Sequence, residues 1–502
     1  MGVFGYKVQP LASLLPKRRL PEGAGNARPE RWPEAGTRHG TLICPNDNAK
    51  IVTVEITCYG GVNEIGGNKI LVSDRGSKIM LDFGAGFSEG LDYFSSGIDP
   101  RRVNGAGDLF EFGLLPELPG LYSADSLQNT SLKPTSPEVD AIILSHYHFD
   151  HMGRISLVDP DIPVVCGETT ALIHQASSES VGSALDDREV RTFRTGDRVK
   201  VGGFEVRPVH VDHSIPGAYG FIVETSEGPL VYTGDFRFHG PKGSMTDDFV
   251  AAAREARPSA LITEGTRVAD SDRKQEMGES EVAAETMRLL KANKHLVFSS
   301  FRGNDVDRVL SFQRACEATG RRLVVSMKVA VLLEELKNDK GIKVPRVGKD
   351  VAVYLRRKRS GSYDDKDYSK WERRFLDSSF TAEDVRKHQH EVLLHLDQWY
   401  LPELIDIKPE RGGVYIHATT EAYNEEGERD EQVIRNWVDH FGFAYHQIHA
   451  SGHAPMDEVK GLVNRIGAQK VIPVHTERPD LFRSLVKNGK VVLPTKGRAI
   501  RI

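Results

Sequence analysis

A chain of 502 residues has material for a large buried core, about three units on a soft prior of roughly 150 residues per domain. Hydrophobic residues at 39% and charged residues at 27% are ordinary for a globular protein. No apolar run approaches the roughly 20 residues that span a bilayer, and a net charge of −5 advertises no nucleic-acid partner globally, so any basic surface must be local.

Residues 1–48 are rich in Pro, Gly and Arg without sustained apolar periodicity, and are expected to form a disordered or loosely docked extension. They carry neither a signal-peptide apolar core nor the clear amphipathic helix of a transit peptide. From residue 51 the pattern becomes strand-rich: 51–57, 69–73 and 78–82 read as strands around the glycine-rich turn Gly60-Gly-Val-Asn-Glu-Ile-Gly-Gly-Asn68, and the third ends in Asp82-Phe-Gly84. Residues 85–138 are rich in Gly, Pro and Ser and too long for an idle loop; a lid or a substrate-facing insertion is expected.

The run Asp140-Ala-Ile-Ile-Leu-Ser145 has the length and β-branched content of a buried strand. It delivers His146-Tyr-His148-Phe-Asp150-His151, four potential metal ligands in six residues. Alternation points His146 and His148 the same way, and the following turn brings Asp150 and His151 to a second position beside the first. Imidazole plus carboxylate at two adjacent positions suits two zinc ions, and manganese also fits this ligand set.

Further apolar runs end in polar residues: 204–210 leads into His213, 229–236 ends at Asp235, and 260–266 carries Glu264. From about Ser280 the rhythm becomes helix, strand, helix, as in an α/β unit with a parallel sheet. Within it, residues 337–374 are markedly basic, including Arg356-Arg-Lys-Arg359, and read as a solvated face or a phosphate-binding surface. The chain then returns to its first style, with His453 in Ser451-Gly-His453 and His475 closing another strand. One domain interrupted by another is the economical architecture. Cys44, Cys58, Cys166 and Cys316 are scattered without a Cys-x-x-Cys pair, as expected of thiols in a reducing cytoplasm.

The ordered set Asp82, His146-x-His-x-Asp-His151, His213 and Asp235 resembles the metallo-β-lactamase superfamily. Glu264, His453 and His475 resemble its β-CASP nucleic-acid-processing branch, and the motifs at 60–68, 213–216 and 233–236 are most similar to the ribonuclease J family. The resemblance covers about residues 50 to 502. It implies an α/β fold, a four-layer αβ/βα sandwich at 49–268 and 443–502 with a β-CASP cap inserted at 269–442. It also implies that His146, His148 and His213 hold one zinc, that Asp150, His151 and His475 hold the second, and that Asp235 bridges them. Asp82 would orient ligands, His453 would meet the scissile phosphate, and Glu264 would support it. Ser300, Arg302, Asn304 and Ser451 are the positional candidates for binding substrate phosphate.

A histidine at 475 is similar to RNA-processing members, where DNA-repair members tend to have an apolar residue. The function implied is zinc-dependent hydrolysis of single-stranded RNA, 5′-to-3′ exonucleolytic in preference to endonucleolytic, at a 5′-monophosphate end. No membrane association is implied; a homodimer or an RNA-processing complex is the expected assembly. Tyr147 and Phe149 depart from the smaller or acidic residues usual in that family. After His475 there is no room for the C-terminal dimerising domain of many members. A DNA nuclease or small-phosphodiester hydrolase of the same fold is the competing enzymatic reading, against which the polymer-sized cap argues. A non-catalytic scaffold is the third, against which the complete ligand set argues.

Overall fold

The structure, a computed structural model, describes residues 53–95, 97–182, 185, 188–269, 277–420 and 425–502. The expected N-terminal extension lies outside the described residues. Within the unit Val52–Ile502, period-two alternation decides which face each strand gives to which layer. Ile70 and Val72 of Lys69–Asp74 enter the core between two sheets, whereas Leu71 faces outward; Phe221 and Val223 of Tyr219–Glu224 face inward, whereas Ile222 faces outward.

The first sheet has seven strands in the order Ala499–Arg501, Glu55–Gly60, Lys69–Asp74, Ser77–Phe83, Ala141–Ile143, Val164–Gly167 and Val190–Phe193. The second runs Lys490–Val491, Lys470–Pro473, Ala260–Thr263, Leu230–Tyr232, Tyr219–Glu224, Phe204–His210 and Val199–Val201. The outer face of the second sheet is covered by helices Gly243–Ala256 and Met456–Ile466. The outer face of the first packs against Leu109, Leu115, Leu121, Tyr122 and Leu127. The 85–138 segment is therefore chiefly a structural layer rather than a lid, because its apolar side chains are consumed by the sheet beneath. Two sheets, each with an outer layer, make the αβ/βα sandwich.

Strand Lys470–Pro473 pairs in parallel with Ala260–Thr263, and Ala499–Arg501 pairs with Glu55–Gly60, so the end of the chain completes sheets that its beginning started. Between them stands the cap. Its seven-stranded sheet is ordered Ser379–Phe380, Val351–Tyr354, Arg322–Ser326, Val392–His395, Val297–Ser300, Val414–His417 and Ala444–Gln447, with every neighbouring pair parallel. Parallel strands need crossovers on both faces, and both faces are buried, which explains the near-continuous apolar runs. Ala444–Gln447 pairs inside this sheet, so the cap runs one strand past the expected boundary at 442. The expected return at 443 is corrected accordingly: a short strand followed by histidine looks the same in either domain.

Candidate metal centre

Strand Ala141–Ile143 ends under the apolar layers, and the chain after it is pinned by Asp82, whose Oδ1 accepts from Ser145 N at 2.7 Å and Oδ2 from Ser145 Oγ at 2.8 Å. His148 then sits in extended backbone just before the short helix Phe149–Met152, which carries Asp150 and His151 back beside it. Asp82 and His475 both adopt left-handed backbone, φ +57° and +52°. Non-glycine residues hold this conformation only where the surroundings enforce it, and such strain concentrates at functional sites.

Two groups of ligand atoms carry the motif residues, His146 with His148 and His213, and Asp150 with His151, Asp235 and His475; a third, His213 with Asp235 and His453, overlaps both, and the atoms of each lie within 4.8 Å of one another. His148 Nδ1 lies 3.0 Å from His146 Nε2 and 3.1 Å from His213 Nε2, and His475 Nε2 lies 2.9 Å from Asp150 Oδ2. Asp235 Oδ2 is central to both groups: 3.1 Å from His151 Nε2, 3.6 Å from His475 Nε2, 3.7 Å from His146 Nε2 and 3.9 Å from His213 Nε2. Its buried Oδ1 has no hydrogen-bond partner, as fits a carboxylate built to hold cations. The donor set, nitrogen and oxygen at two adjacent positions, fits two divalent metals.

The far side of four of the five ligand rings is engaged. His151 Nδ1 donates to Asp82 Oδ2 at 2.7 Å, His213 Nδ1 to Gly452 O at 2.6 Å, and His475 Nδ1 to Thr266 Oγ1 at 2.7 Å, whose own hydroxyl donates to Glu264 Oε2 at 2.6 Å. His146 Nδ1 meets Ser145 Oγ at 3.0 Å, a hydroxyl that Asp82 engages as acceptor. Each contact fixes the tautomer that leaves Nε2 free toward the centre. Tyr232, whose hydroxyl donates to Asp82 Oδ2 at 2.7 Å, completes this support. Ser145, Tyr232 and Thr266 were not singled out from sequence, where a hydroxyl near a strand end carries no distinctive signal.

Electrostatics divide the histidines. Burial, with like-charged neighbours, depresses His146 and His213 well below the ordinary imidazole range, and burial brings His148 to about 3, so these rings are neutral. Burial also opposes charge on His151 and His475, but the Asp235 and Asp150 carboxylates outweigh it and raise both. His453, against the same cluster, is lifted to about 9 despite burial, by Glu264 and then Asp235. Its Nδ1 lies 3.0 Å from Glu264 Oε2 and 3.8 Å from Asp235 Oδ2. Glu264 Oε1 also accepts from Phe236 N at 2.8 Å, so one carboxylate ties His453 to the segment bearing Asp235.

Asp82, His146, His148, Asp150, His151, His213, Asp235, Glu264, His453 and His475 thus converge. Ser451 joins them through its Oγ, which accepts from His453 N at 3.1 Å. Arg302 is exposed, with its guanidinium 5.6 Å from the Phe87 ring centroid, and its charge acts on His148. Asn304 is half-buried in the same cap loop. Ser300 is buried and its hydroxyl pairs with Tyr415 OH, so it does not join the metal cluster. In the basic run, Arg346 pairs with Asp350, Arg357 with Asp406, Lys358 with Glu372 and Arg374 with Glu179, so part of its charge is spent in ion pairs.

Gly84 marks how tightly the motif is seated. A Cβ there would stand 1.7 Å from Asp150 O and 2.6 Å from His151 N. Gly84→Ala should displace the Phe149–Met152 turn, costing about 1–3 kcal/mol of stability and lowering bound metal below the wild-type content. Thermal unfolding and elemental analysis check this, and an unchanged metal content would show that the turn tolerates the shift.

Fold and site together resemble those of the metallo-β-lactamase superfamily. A family model described as "Beta-lactamase superfamily domain" matches residues 118–297, and one described as "Zn-dependent metallo-hydrolase RNA specificity domain" matches 444–493. The chain is also similar to ribonuclease J. It is 29% identical over 286 residues to ribonuclease J of Mycobacterium tuberculosis strain H37Rv, covering 54% of this chain and 44% of that protein. To ribonuclease J of Sinorhizobium meliloti it is 28% identical over 237 residues, covering 43% and 39%. The matched region is thus less than half the length of these curated relatives. A crystal structure of a protein of unknown function from Enterococcus faecalis V583 has a TM-score of 0.70 at 21% identity, covering 90% of this chain and all of that one, and shares the fold. Among the described residues no helix is long and apolar enough to cross a membrane.

Proposed function

We propose that the protein is a metal-dependent ribonuclease that hydrolyses single-stranded RNA, acting 5′-to-3′ from a 5′-monophosphate end. The observation that carries this reading is Asp235 Oδ2, shared within 3.9 Å by imidazoles of both ligand groups, with His453 beside it. The resemblance to ribonuclease J and the match to an RNA specificity domain support RNA as the polymer.

His146, His148 and His213 would hold one divalent ion and Asp150, His151 and His475 the other, with Asp235 between them; zinc suits these donors. Divalent metal held there would supply an activated water at neutral pH and Lewis-acid stabilisation of phosphate charge. The chain's own residues do the rest. Asp82, Thr266 and the Gly452 carbonyl hold the ligand rings in register. His453, kept protonated by Glu264, gives its Nε2 proton to the departing oxygen or stabilises charge on the phosphoryl group. Arg302, exposed on the cap loop near His148, draws substrate phosphate toward the centre.

The test is cleavage of matched single-stranded RNA and DNA in 5′-monophosphate and 5′-triphosphate forms. Mononucleotide release from monophosphorylated RNA is expected. Internal fragments would make the activity endonucleolytic, and preference for DNA would overturn the assignment of substrate.

A further inference from the structure

Three consecutive carbonyls lead into His453, and three different parts of the molecule hold them. Arg308, on cap helix Val306–Thr319, donates from Nη2 to Ala450 O at 3.2 Å. Arg237 of the sandwich donates from Nη1 to Ser451 O at 3.1 Å, an oxygen it shares with His239 Nε2. His213, from the metal cluster, donates from Nδ1 to Gly452 O at 2.6 Å.

Arg237 does more than hold one carbonyl. It is fully buried, two residues after Asp235, and uses all three nitrogens: Nε donates to Asp212 Oδ1 at 3.0 Å and Nη2 to Asp307 Oδ2 at 2.9 Å. Asp212 directly precedes His213, and Asp307 lies in the first turn of the cap helix. Lys242 completes the bridge, its backbone N donating to Asp212 Oδ2 at 2.7 Å and its Nζ to Asp307 Oδ1 at 2.8 Å. The packing leaves no slack, since a Cβ at Gly240 would stand 2.2 Å from Arg237 Nε and 2.5 Å from Asp212 Oδ2. A single guanidinium thus touches the segment carrying His213, the loop carrying His453, and the cap. Only a planar fork with donors in fixed directions reaches three such partners at once. Buried ion pairs of this kind contribute little net stability, so a role in fixing geometry is the physical reason to keep one.

We propose that Arg237 is a positioning residue that latches the cap to the sandwich through Asp307 and, through the Ser451 carbonyl, sets His453 against the metal cluster. This rests on the reading of His453 as the group that acts on substrate. Any displacement of the cap helix pulls on the guanidinium that holds Ser451, so the cap position is transmitted to the reacting end of the cleft.

The test uses metal-loaded full-length protein carrying Arg237→Lys, Asp307→Ala or Asp307→Asn. Hydrogen exchange is read over 305–312 and 448–455, alongside kcat, KM and bound metal on 5′-monophosphorylated single-stranded RNA. Arg237→Lys and Asp307→Ala should raise exchange in both segments about tenfold or more. They should lower kcat by about 10- to 100-fold with KM little changed. Asp307→Ala should leave bound metal at the wild-type count, and Asp307→Asn, whose amide oxygen still accepts from Arg237 Nη2 while its amide nitrogen loses the Lys242 ammonium, should fall between wild type and Asp307→Ala in exchange and in kcat. If Asp307→Ala frees only 305–312, with 448–455 still protected and kcat unchanged, the latch does not reach His453 and the proposal falls. Should Arg237→Lys fail to fold, the two Asp307 variants decide alone. If wild-type protein cleaves no RNA, the ribonuclease reading fails, while the exchange measurements still decide whether cap and loop are coupled.

Discussion

Asp235→Asn should leave a folded protein that no longer retains two metal ions and has lost hydrolytic activity by on the order of 10³-fold or more. The expectation follows from the position of one oxygen. Asp235 Oδ2 lies within 3.9 Å of nitrogens from His146, His151, His213, His453 and His475, and the carboxylate is fully buried. It is the negative charge that both ligand groups share. The same carboxylate leads the upward pull on His475 and, after the opposing effect of burial, on His151. An amide of equal size preserves the packing but removes that charge, so the metals lose their common ligand while the sheets stay intact. Elemental analysis and circular dichroism on the same preparation separate the two effects. Retention of two equivalents of metal by the variant would remove Asp235 from its bridging place.

His453→Ala should behave differently: metals retained, rate lowered by about 10²- to 10⁴-fold, the range for loss of a positioned proton donor. His453 Nδ1 is held at 3.0 Å by Glu264 Oε2, the oxygen that also ends the His475–Thr266 chain, which leaves Nε2 for the substrate. Glu264→Gln should lower the rate less, by about 10- to 100-fold, and should move the alkaline limb of the pH–rate profile. The sign follows from the electrostatics. Burial disfavours the charged ring, and Glu264 is the leading cause of its elevation. Without that carboxylate the imidazolium loses its proton at lower pH, so a reaction that needs the protonated ring fails at lower pH. A limb that does not move, or moves upward, would assign the proton to another group.

The parts of this site that could be read from sequence are those where chemistry and periodicity coincide. The 146–151 run is legible because four potential metal ligands crowd the end of an apolar strand, and Asp235, Glu264 and His475 repeat that pattern at other strand ends. The interrupted domain was legible for the same reason: strand-rich segments flank a helix–strand alternation. The supporting contacts were not legible. Thr266, Tyr232, Ser145 and Arg237 act through partners 209, 150, 63 and 214 residues away, distances that local pattern does not carry. At 85–138 the choice between a lid and a substrate-facing insertion was not legible, because Gly, Pro and Ser mask the spaced leucines that seat much of the segment on the first sheet. Ser300 fits its motif position, yet its hydroxyl turns to Tyr415, a choice fixed by cross-strand packing. The cap boundary slipped by one strand because Ala444-Tyr-His-Gln447 carries no local mark of which sheet it joins.

The most direct test of the account is a titration of metal-stripped protein with zinc, following bound ions per chain and release of mononucleotides from 5′-monophosphorylated single-stranded RNA in the same samples. The account predicts two equivalents bound per chain, activity that is absent without metal and complete when both sites fill, and none of it in Asp235→Asn. Two equivalents of zinc with no cleavage of RNA, or full cleavage in the stripped protein, would contradict it.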